Sequence, residues 1–181
     1  MNSDFKPVVD AQVVKLRALI AAEHAKGKAV GYLSIPLSTL GGGYFNVNRE
    51  VGERTRQRLE ARLGAASAWV LNPGIAEANI PDVAGARAGG AEYMVMWTRV
   101  LEGAGGFGED FDFIHFVGPS DFALDAHDEW NIAAKINARR RGDPKYGTGN
   151  QLPTWFDGRS VSSAEAEQSM SGGYAGSCKL P

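Results

Sequence analysis

Three short apolar runs, each followed by a segment with helical spacing, constrain the fold of this chain more than any other feature. The runs are residues 29–35, 67–74 and 111–118, and helical periodicity is found at residues 8–26, 49–63, 91–102 and 125–141. Runs that are apolar throughout are typical of strands buried on both faces. Strands that alternate with helices form parallel sheets. We therefore predict an α/β fold in which helices flank a parallel sheet.

The second of the helical segments, residues 49–63, is the most strongly charged. Its charges alternate in sign, which is typical of a solvated outer face. Asn48 is placed to cap its N-terminus, and Gly64 to end it. Its apolar stripe is predicted from residues at four-residue spacing: Val51, Thr55, Leu59 and Leu63.

Residues 143–181 break the alternation and are rich in glycine and serine. Their large aromatic side chains are few: Trp155, Phe156 and Tyr174 among them. Because such a composition cannot build its own core, we predict an α/β domain over residues 1–142 and an irregular C-terminal arm over residues 143–181. The capping-box spacing of Ser162 and Glu165 predicts one short helix in the arm. Aromatic rings are costly to leave in water, so the arm should dock, either at the interface of a homo-oligomer or back on its own domain.

Composition and charge exclude several classes of function. The net charge of −2 argues against a nucleic-acid polymer bound through a broad basic surface. The single cysteine, Cys178, allows neither a disulfide framework nor a cysteine-based zinc site within one chain, which favours the cytoplasm. His24 and His115 have no partners at metal-binding spacing, and a lone histidine such as His127 is usually not a ligand. We therefore predict a cytoplasmic protein with no metal and no cofactor.

Membrane association is also not expected. No apolar run approaches the roughly 20 residues of a membrane span, and the first residues lack the pattern of a signal peptide.

Candidate binding residues follow the predicted strands, because ligands of parallel sheets bind beyond the carboxyl ends of the strands. After the first run, Gly41, Gly42 and Gly43 come directly before a helix. Such glycines let backbone N–H groups approach a phosphate at a helix N-terminus. Their spacing matches neither the Walker A motif nor the dinucleotide-binding motif, and a loop that needs no ligand remains an equal alternative.

The segment after the third run is rich in carboxylates. On a helix that begins near Asp125, Glu129 lies one turn in, on the side of the apolar residues 132, 133 and 136. A carboxylate in this position suits a nucleophile or an acid–base group. Asp125 is better explained as the helix cap, and Asp128 as a favourable charge near the helix N-terminus.

Three stretches of sequence, taken in chain order over residues 28–140, resemble one known family. "GYLSIPLS" is similar to a first strand with the motif Y-L-A-G-P, and "AWVLNPG" to a second strand that ends in asparagine-proline. "AEYMVMWTRVLEG" followed by "FDFIHFVGPSDF" is similar to the next helix and strand. These motifs are those of the nucleoside 2-deoxyribosyltransferase-like superfamily. The resemblance implies a flavodoxin-like or Rossmann-like fold and enzymes that break or exchange the N-glycosidic bond of a nucleoside or nucleotide.

The resemblance also implies roles for single residues. In this family a glutamate attacks the anomeric carbon of the sugar, and a tyrosine of the first strand helps to hold that glutamate. By position, Tyr32 matches the tyrosine, Glu129 the glutamate and Asp112 a structural aspartate. Glu92, in "GGAEYM", is a competing match for the glutamate. The residues that we assign to substrate binding are Ser34, Gly42, Gly43, Asn46, Asn72, Ser120 and Asp121.

The expected ligand is therefore a nucleoside or a nucleoside monophosphate. Asp121 or Asn72 would hold its base or sugar, and the backbone of Gly42 and Gly43 any 5′-phosphate. The activity implied is that of an N-glycosidase or a 2-deoxyribosyltransferase. Two alternatives remain: a non-catalytic module that binds a nucleotide or nucleotide sugar, and a structural assembly protein.

Overall fold

The computed structural model describes residues 2–35, 37, 45–117, 124–147, 149–156 and 159–160. The helices in these ranges are α1 (Lys6–Ala25), α2 (Phe45–Leu63), α3 (Gly90–Glu102) and α4 (Leu124–Gly142). The strands are β1 (Ala29–Ser34), β2 (Ala68–Leu71), β3 (Phe113–Phe116), β4 (Thr154–Phe156) and β5 (Arg159–Ser160). The helical and strand segments predicted from periodicity are all present, with ends shifted by a few residues.

The strands form a single sheet in the order β2-β1-β3-β4-β5. β1, β2, β3 and β4 run parallel, and β5 pairs with β4 in the antiparallel direction. The predicted α/β fold with a parallel sheet flanked by helices is therefore confirmed. After β1 the chain builds β2 on one side and then returns past β1 to build β3 on the other. The space between the carboxyl ends of β1 and β3 is the point at which ligands bind in folds of this order.

The helices are divided unequally between the two faces of the sheet. One face carries α1, α3 and α4, and its core includes Val30 and Tyr32 of β1. The other face carries α2, and its smaller core includes Leu33 of β1, Ile35 directly after β1, and Leu59 of α2. β1 thus supplies both cores, because successive side chains of a strand point to opposite faces.

The start and the buried stripe of α2 differ from the prediction. The helix begins at Phe45, so Asn48 lies inside it and is not its N-terminal cap. The buried residues of α2 are Gly52 and Leu59, whereas Val51 and Leu63 are 44% and 36% exposed. The helix approaches the end of β2 at Gly52, where an added Cβ would lie 3.1 Å from Oδ1 of Asn72. This close approach turns the predicted stripe partly toward solvent.

The first part of the predicted arm belongs to the sheet. β4 and β5 were not predicted, because strands of two or three residues are too short to show periodicity in sequence. Leu152, just before β4, is 1% exposed, and its backbone N–H donates to Oδ1 of Asn137 at 2.7 Å. The ring of Trp155 stacks on Phe113 with centroids 4.5 Å apart. Tyr174 and the helix predicted after Ser162 lie outside the described residues.

None of the helices in the described ranges is long and apolar enough to cross a membrane.

Candidate functional site

Two hydroxyl groups of β1 and one carboxylate of α4 meet near the carboxyl end of β1. Tyr32 and Ser34 are two residues apart on the strand, so their side chains point to the same face. That face carries α4, and Glu129 lies early in this helix. Because side chains alternate between the two faces of β1 and α4 packs on one of them, Tyr32 and Ser34 lie next to Glu129, although they are far from it in sequence.

Each oxygen of the Glu129 carboxylate accepts a hydrogen bond from a hydroxyl of β1. Tyr32 Oη donates to Oε1 at 2.5 Å, and Ser34 Oγ donates to Oε2 at 2.6 Å. Both lengths are typical of charge-assisted O–H···O⁻ bonds. Tyr32 and Ser34 are 0% exposed, and Glu129 is 5% exposed. We call these three residues the carboxylate clamp.

Aromatic packing holds the carboxylate clamp in place. The Tyr32 ring lies 5.5 Å from Trp97 of α3 and 5.7 Å from Phe111, measured between centroids. Trp130, the neighbour of Glu129, packs edge-on against Phe116 of β3 at 5.0 Å. Both ends of the Tyr32–Glu129 hydrogen bond are therefore attached to rigid elements.

The helix that carries Glu129 is anchored by its apolar face, as its sequence predicted. Ile132, Ala133 and Ile136 are buried, at 7%, 2% and 0% exposure.

A second group of candidate residues lines a cleft of about 520 Å³ where α2 meets the end of β2. Asn46 and Asn72, both predicted to bind substrate, are part of its wall. Asn72 is buried, and its Oδ1 accepts a hydrogen bond from the Gly74 N–H at 3.0 Å. Arg49 Nε donates to the Gly74 carbonyl oxygen at 2.9 Å. Asn72 and Arg49 thus shape this turn, and Asn46 lies exposed at the start of α2.

The cleft also contains carboxylates. Glu50, Glu53 and Glu77 line it beside Arg49. Hydrogen bonding from Arg56 is the main cause that lowers the pKa of Glu53 from its ordinary value, and hydrogen bonds from Gln57 and Asn72 act in the same direction. Glu53 forms an ion pair with Arg56, and Glu50 forms one with Arg54.

The competing glutamate, Glu92, has a different environment. Its Oε1 accepts from the Asn2 N–H at 2.8 Å, and its Oε2 from the Gly89 N–H at 3.0 Å. The second of these bonds caps α3 at its N-terminus. The backbone bonds, first that from Asn2 and then that from Gly89, lower the pKa of Glu92 from its ordinary value. Both carboxylate oxygens of Glu92 therefore accept hydrogen bonds from backbone N–H groups.

Asp112 acts at the opposite, amino end of the strands. Its Oδ2 accepts the Val30 N–H at 2.7 Å, which supports the structural role implied for it by the resemblance.

Several predicted site residues lie outside the described part of the chain. These are Gly41, Gly42, Gly43, Ser120 and Asp121, together with the side chains of Asp125 and His127. Within the described residues, no three histidine, cysteine, aspartate or glutamate side chains are grouped as ligands for a metal ion.

The contact of Ser34 with Glu129 was missed by sequence reasoning, which assigned Ser34 to the substrate. The available signal was its spacing from Tyr32, since residues i and i+2 of a strand share a face. A side chain that accepts a hydrogen bond from the Tyr32 hydroxyl can therefore also accept one from the Ser34 hydroxyl.

Comparison of the chain with protein-family models, with curated proteins and with solved structures gives no match.

Proposed function

We propose that this protein breaks or exchanges the N-glycosidic bond of a nucleoside or nucleoside monophosphate, with Glu129 as its catalytic carboxylate. The observation that carries this proposal is the pair of hydrogen bonds from Tyr32 and Ser34 to the two Glu129 oxygens, at 2.5 and 2.6 Å. A first-strand tyrosine that holds a glutamate is what the sequence resemblance implies. In folds of this strand order, ligands bind at the carboxyl ends of β1 and β3, and the carboxylate clamp lies close to that point.

In this chemistry the carboxylate stabilises positive charge on the sugar and then bonds to it. As the C1′–N bond breaks, its electron pair leaves with the base, which takes up a proton from solvent, and the anomeric carbon becomes positively charged. Ionised Glu129 stabilises this charge and attacks the carbon to form a glycosyl ester. Water, or a nitrogen of a second base, then displaces the carboxylate. The first outcome is hydrolysis and the second is exchange.

Substrate recognition is proposed from the residues around this point. Asn46 and Asn72 line the cleft between α2 and β2. Their side-chain amides can form hydrogen bonds with the hydroxyls of a sugar or with the edge of a base. The glycines at 41–43 support a 5′-phosphate through their sequence pattern. We further propose that the protein acts in the cytoplasm as a homo-oligomer whose C-terminal arm takes part in the interface.

The test is release of free base from a panel of nucleosides and nucleoside monophosphates, read by mass spectrometry. Glu129→Gln should lower the rate by orders of magnitude, because the neutral amide neither stabilises the charge nor attacks the carbon. Glu92→Gln is the matched control, since it makes the same chemical change at a glutamate whose oxygens bind backbone N–H groups. It should leave the rate within a few-fold of the wild type.

The same panel distinguishes the rival functions. Thermal stabilisation by a nucleotide without release of base would overturn the enzymatic proposal in favour of a binding module. Neither stabilisation nor release would overturn both. Full activity in Glu129→Gln together with loss of activity in Glu92→Gln would move the catalytic role to Glu92.

A further inference from the structure

Both oxygens of the Glu129 carboxylate accept hydrogen bonds from hydroxyls of β1. The last torsion of a glutamate side chain, between a tetrahedral and a planar carbon, has a broad energy profile. Tyr32 holds Oε1, and the second bond, from Ser34 Oγ to Oε2 at 2.6 Å, restrains the rotation of the carboxylate plane about this torsion.

We propose that Ser34 is a positioning residue, which fixes the rotation of the Glu129 carboxylate so that one defined edge of it faces the sugar. This inference rests on the proposed function and deepens it, because it replaces a substrate-binding role for Ser34 with a role exerted through Glu129. The resemblance assigns no such role to this position, where the motif Y-L-A-G-P has alanine.

The backbone of Ser34 is well suited to hold a group still. Its Cα is paired with that of Phe116 across β1 and β3, and its carbonyl oxygen accepts the Val117 N–H at 3.0 Å. Serine has a single torsion to its hydroxyl oxygen, so ordering it costs little entropy. At 0% exposure, its side chain is closed to water that could compete for the bond. A group on a rigid strand positions a catalytic side chain better than one on a loop.

The kinetic consequence follows from the sensitivity of group transfer to geometry. A misplacement of about 1 Å at a reacting group costs about a hundredfold in rate. Ser34→Ala removes the donor and leaves the Tyr32 bond, so kcat should fall by about ten- to a hundredfold. KM for the nucleoside should stay within about threefold, because Ser34 does not contact the substrate. Ser34→Thr, which keeps the hydroxyl, should recover most of the rate.

A spectroscopic measurement tests the carboxylate itself and needs no substrate. The infrared band of the Glu129 carboxylate is isolated as the difference between the wild type and Glu129→Gln, both labelled with ¹³C-glutamate. Ser34→Ala should shift and broaden this band, and Ser34→Thr should restore it. Where threonine prevents folding, Ser34→Cys, which is closer in shape and a weaker donor, should give an intermediate band.

The outcomes separate this inference from the proposed function. An unchanged band in Ser34→Ala overturns the positioning role whatever the activity is. A raised KM with an unchanged kcat overturns it also, and returns Ser34 to the substrate. A shifted band that is restored by a hydroxyl supports the positioning of the carboxylate, and if no nucleoside loses its base, it is the proposed function that is overturned.

Discussion

At the scale of single residues, the burial of the Glu129 carboxyl group has a cost that its hydrogen-bond partners offset. Glu129 is 5% exposed, and a buried carboxylate is destabilising unless hydrogen bonds replace those it makes with water. Tyr32 and Ser34 supply two of these bonds. Their hydroxyls, in turn, are fully buried and depend on Glu129 as acceptor. Each member of the carboxylate clamp therefore makes the burial of the others tolerable.

Removing the Tyr32 hydroxyl should show this dependence as a loss of stability. Tyr32→Phe keeps the ring contacts with Trp97 and Phe111 but deprives a buried carboxylate of one donor. Hydrogen bonds to charged groups contribute about 1.5–3 kcal/mol, and we expect a loss of this size in the free energy of unfolding by urea at pH 7.

The control for this variant is Tyr93→Phe. The Tyr93 hydroxyl accepts the uncharged Ile80 N–H at 3.3 Å. Its loss should cost about 0.5–1.5 kcal/mol, as for a neutral bond. Equal losses in the two variants would mean that Glu129 is not ionised in the folded protein.

At the scale of the elements, polar side chains of α4 form hydrogen bonds with backbone groups of the neighbouring loops. Asn137 of α4 bonds to both backbone groups of Leu152, ahead of β4. Arg140 of α4 donates to the carbonyl oxygens of Phe107, Gly108 and Asn150, and burial lowers the pKa of its guanidinium from the ordinary value. Both side chains tie α4 to the loops around it.

A side chain of α2 bonds in the same way to the backbone of β2, at the edge of the sheet. Among the strands that the structure describes, β2 is the last on its side, and an open edge can pair with another chain. Glu60 of α2 reaches over this edge, and its Oε1 accepts the Val70 N–H at 2.9 Å. Its other oxygen, Oε2, accepts from Arg56 Nη1 at 2.6 Å.

We expect Glu60→Ala to lower the stability of the fold and to expose the edge of β2 to pairing with another chain. A buried N–H without an acceptor costs about 1–3 kcal/mol, which should appear as a lower midpoint of urea unfolding. The variant should also aggregate faster on mild heating, measured by turbidity. Glu60→Gln retains an acceptor oxygen and serves as the control. A glutamine variant that behaves like alanine would show that the charge, through Arg56, matters more than the bond to Val70.

At the scale of the whole molecule, the described part of the arm belongs to the α/β domain. Residues 154–156 and 159–160 form the strands at one end of the sheet, where Trp155 stacks on Phe113 of the same chain. One of the aromatic residues expected at an interface is therefore used within the domain. The remaining interface prediction depends on residues 161–181, which lie outside the described residues.

Light scattering tests that remaining prediction. The full chain should form a homo-oligomer at micromolar concentration, and a chain ending at Ser160, which keeps β4 and β5, should dissociate. A monomeric full chain would contradict the oligomer. An oligomer that survives truncation would show that another surface holds it together.

Periodicity in the sequence predicted the fold because each long element has enough residues to show a pattern. The helix predicted over residues 91–102 is observed as Gly90–Glu102, and the strand over residues 29–35 as Ala29–Ser34. Thr154–Phe156 could not be recognised in this way, since three residues do not define a period. For the buried stripe of α2, the pattern failed because the closest contact is made by a glycine, Gly52, which carries no hydrophobic signal.

The candidate site was predictable only in part. Glu129 was predicted from its position early in the helix after the third strand, the resemblance paired it with Tyr32, and the structure brings the two into contact. The role of Ser34 depends on which side chain lies across from β1, and that is a property of the tertiary fold. Likewise, Arg140 is the middle one of three consecutive arginines, and nothing in the sequence marks it as the buried one.

The order in which the strands are made differs from the order in which they lie in the sheet. Ser34 precedes Glu129 by 95 residues, and a ribosome adding roughly 5–20 residues per second needs about 5–20 seconds to make that stretch. During this time the nascent chain can pair β1 first with β2 and then, once residues 113–116 have been made, with β3. A translation product that stops before α4 would therefore contain the two hydroxyls of the carboxylate clamp and no carboxylate for them to hold.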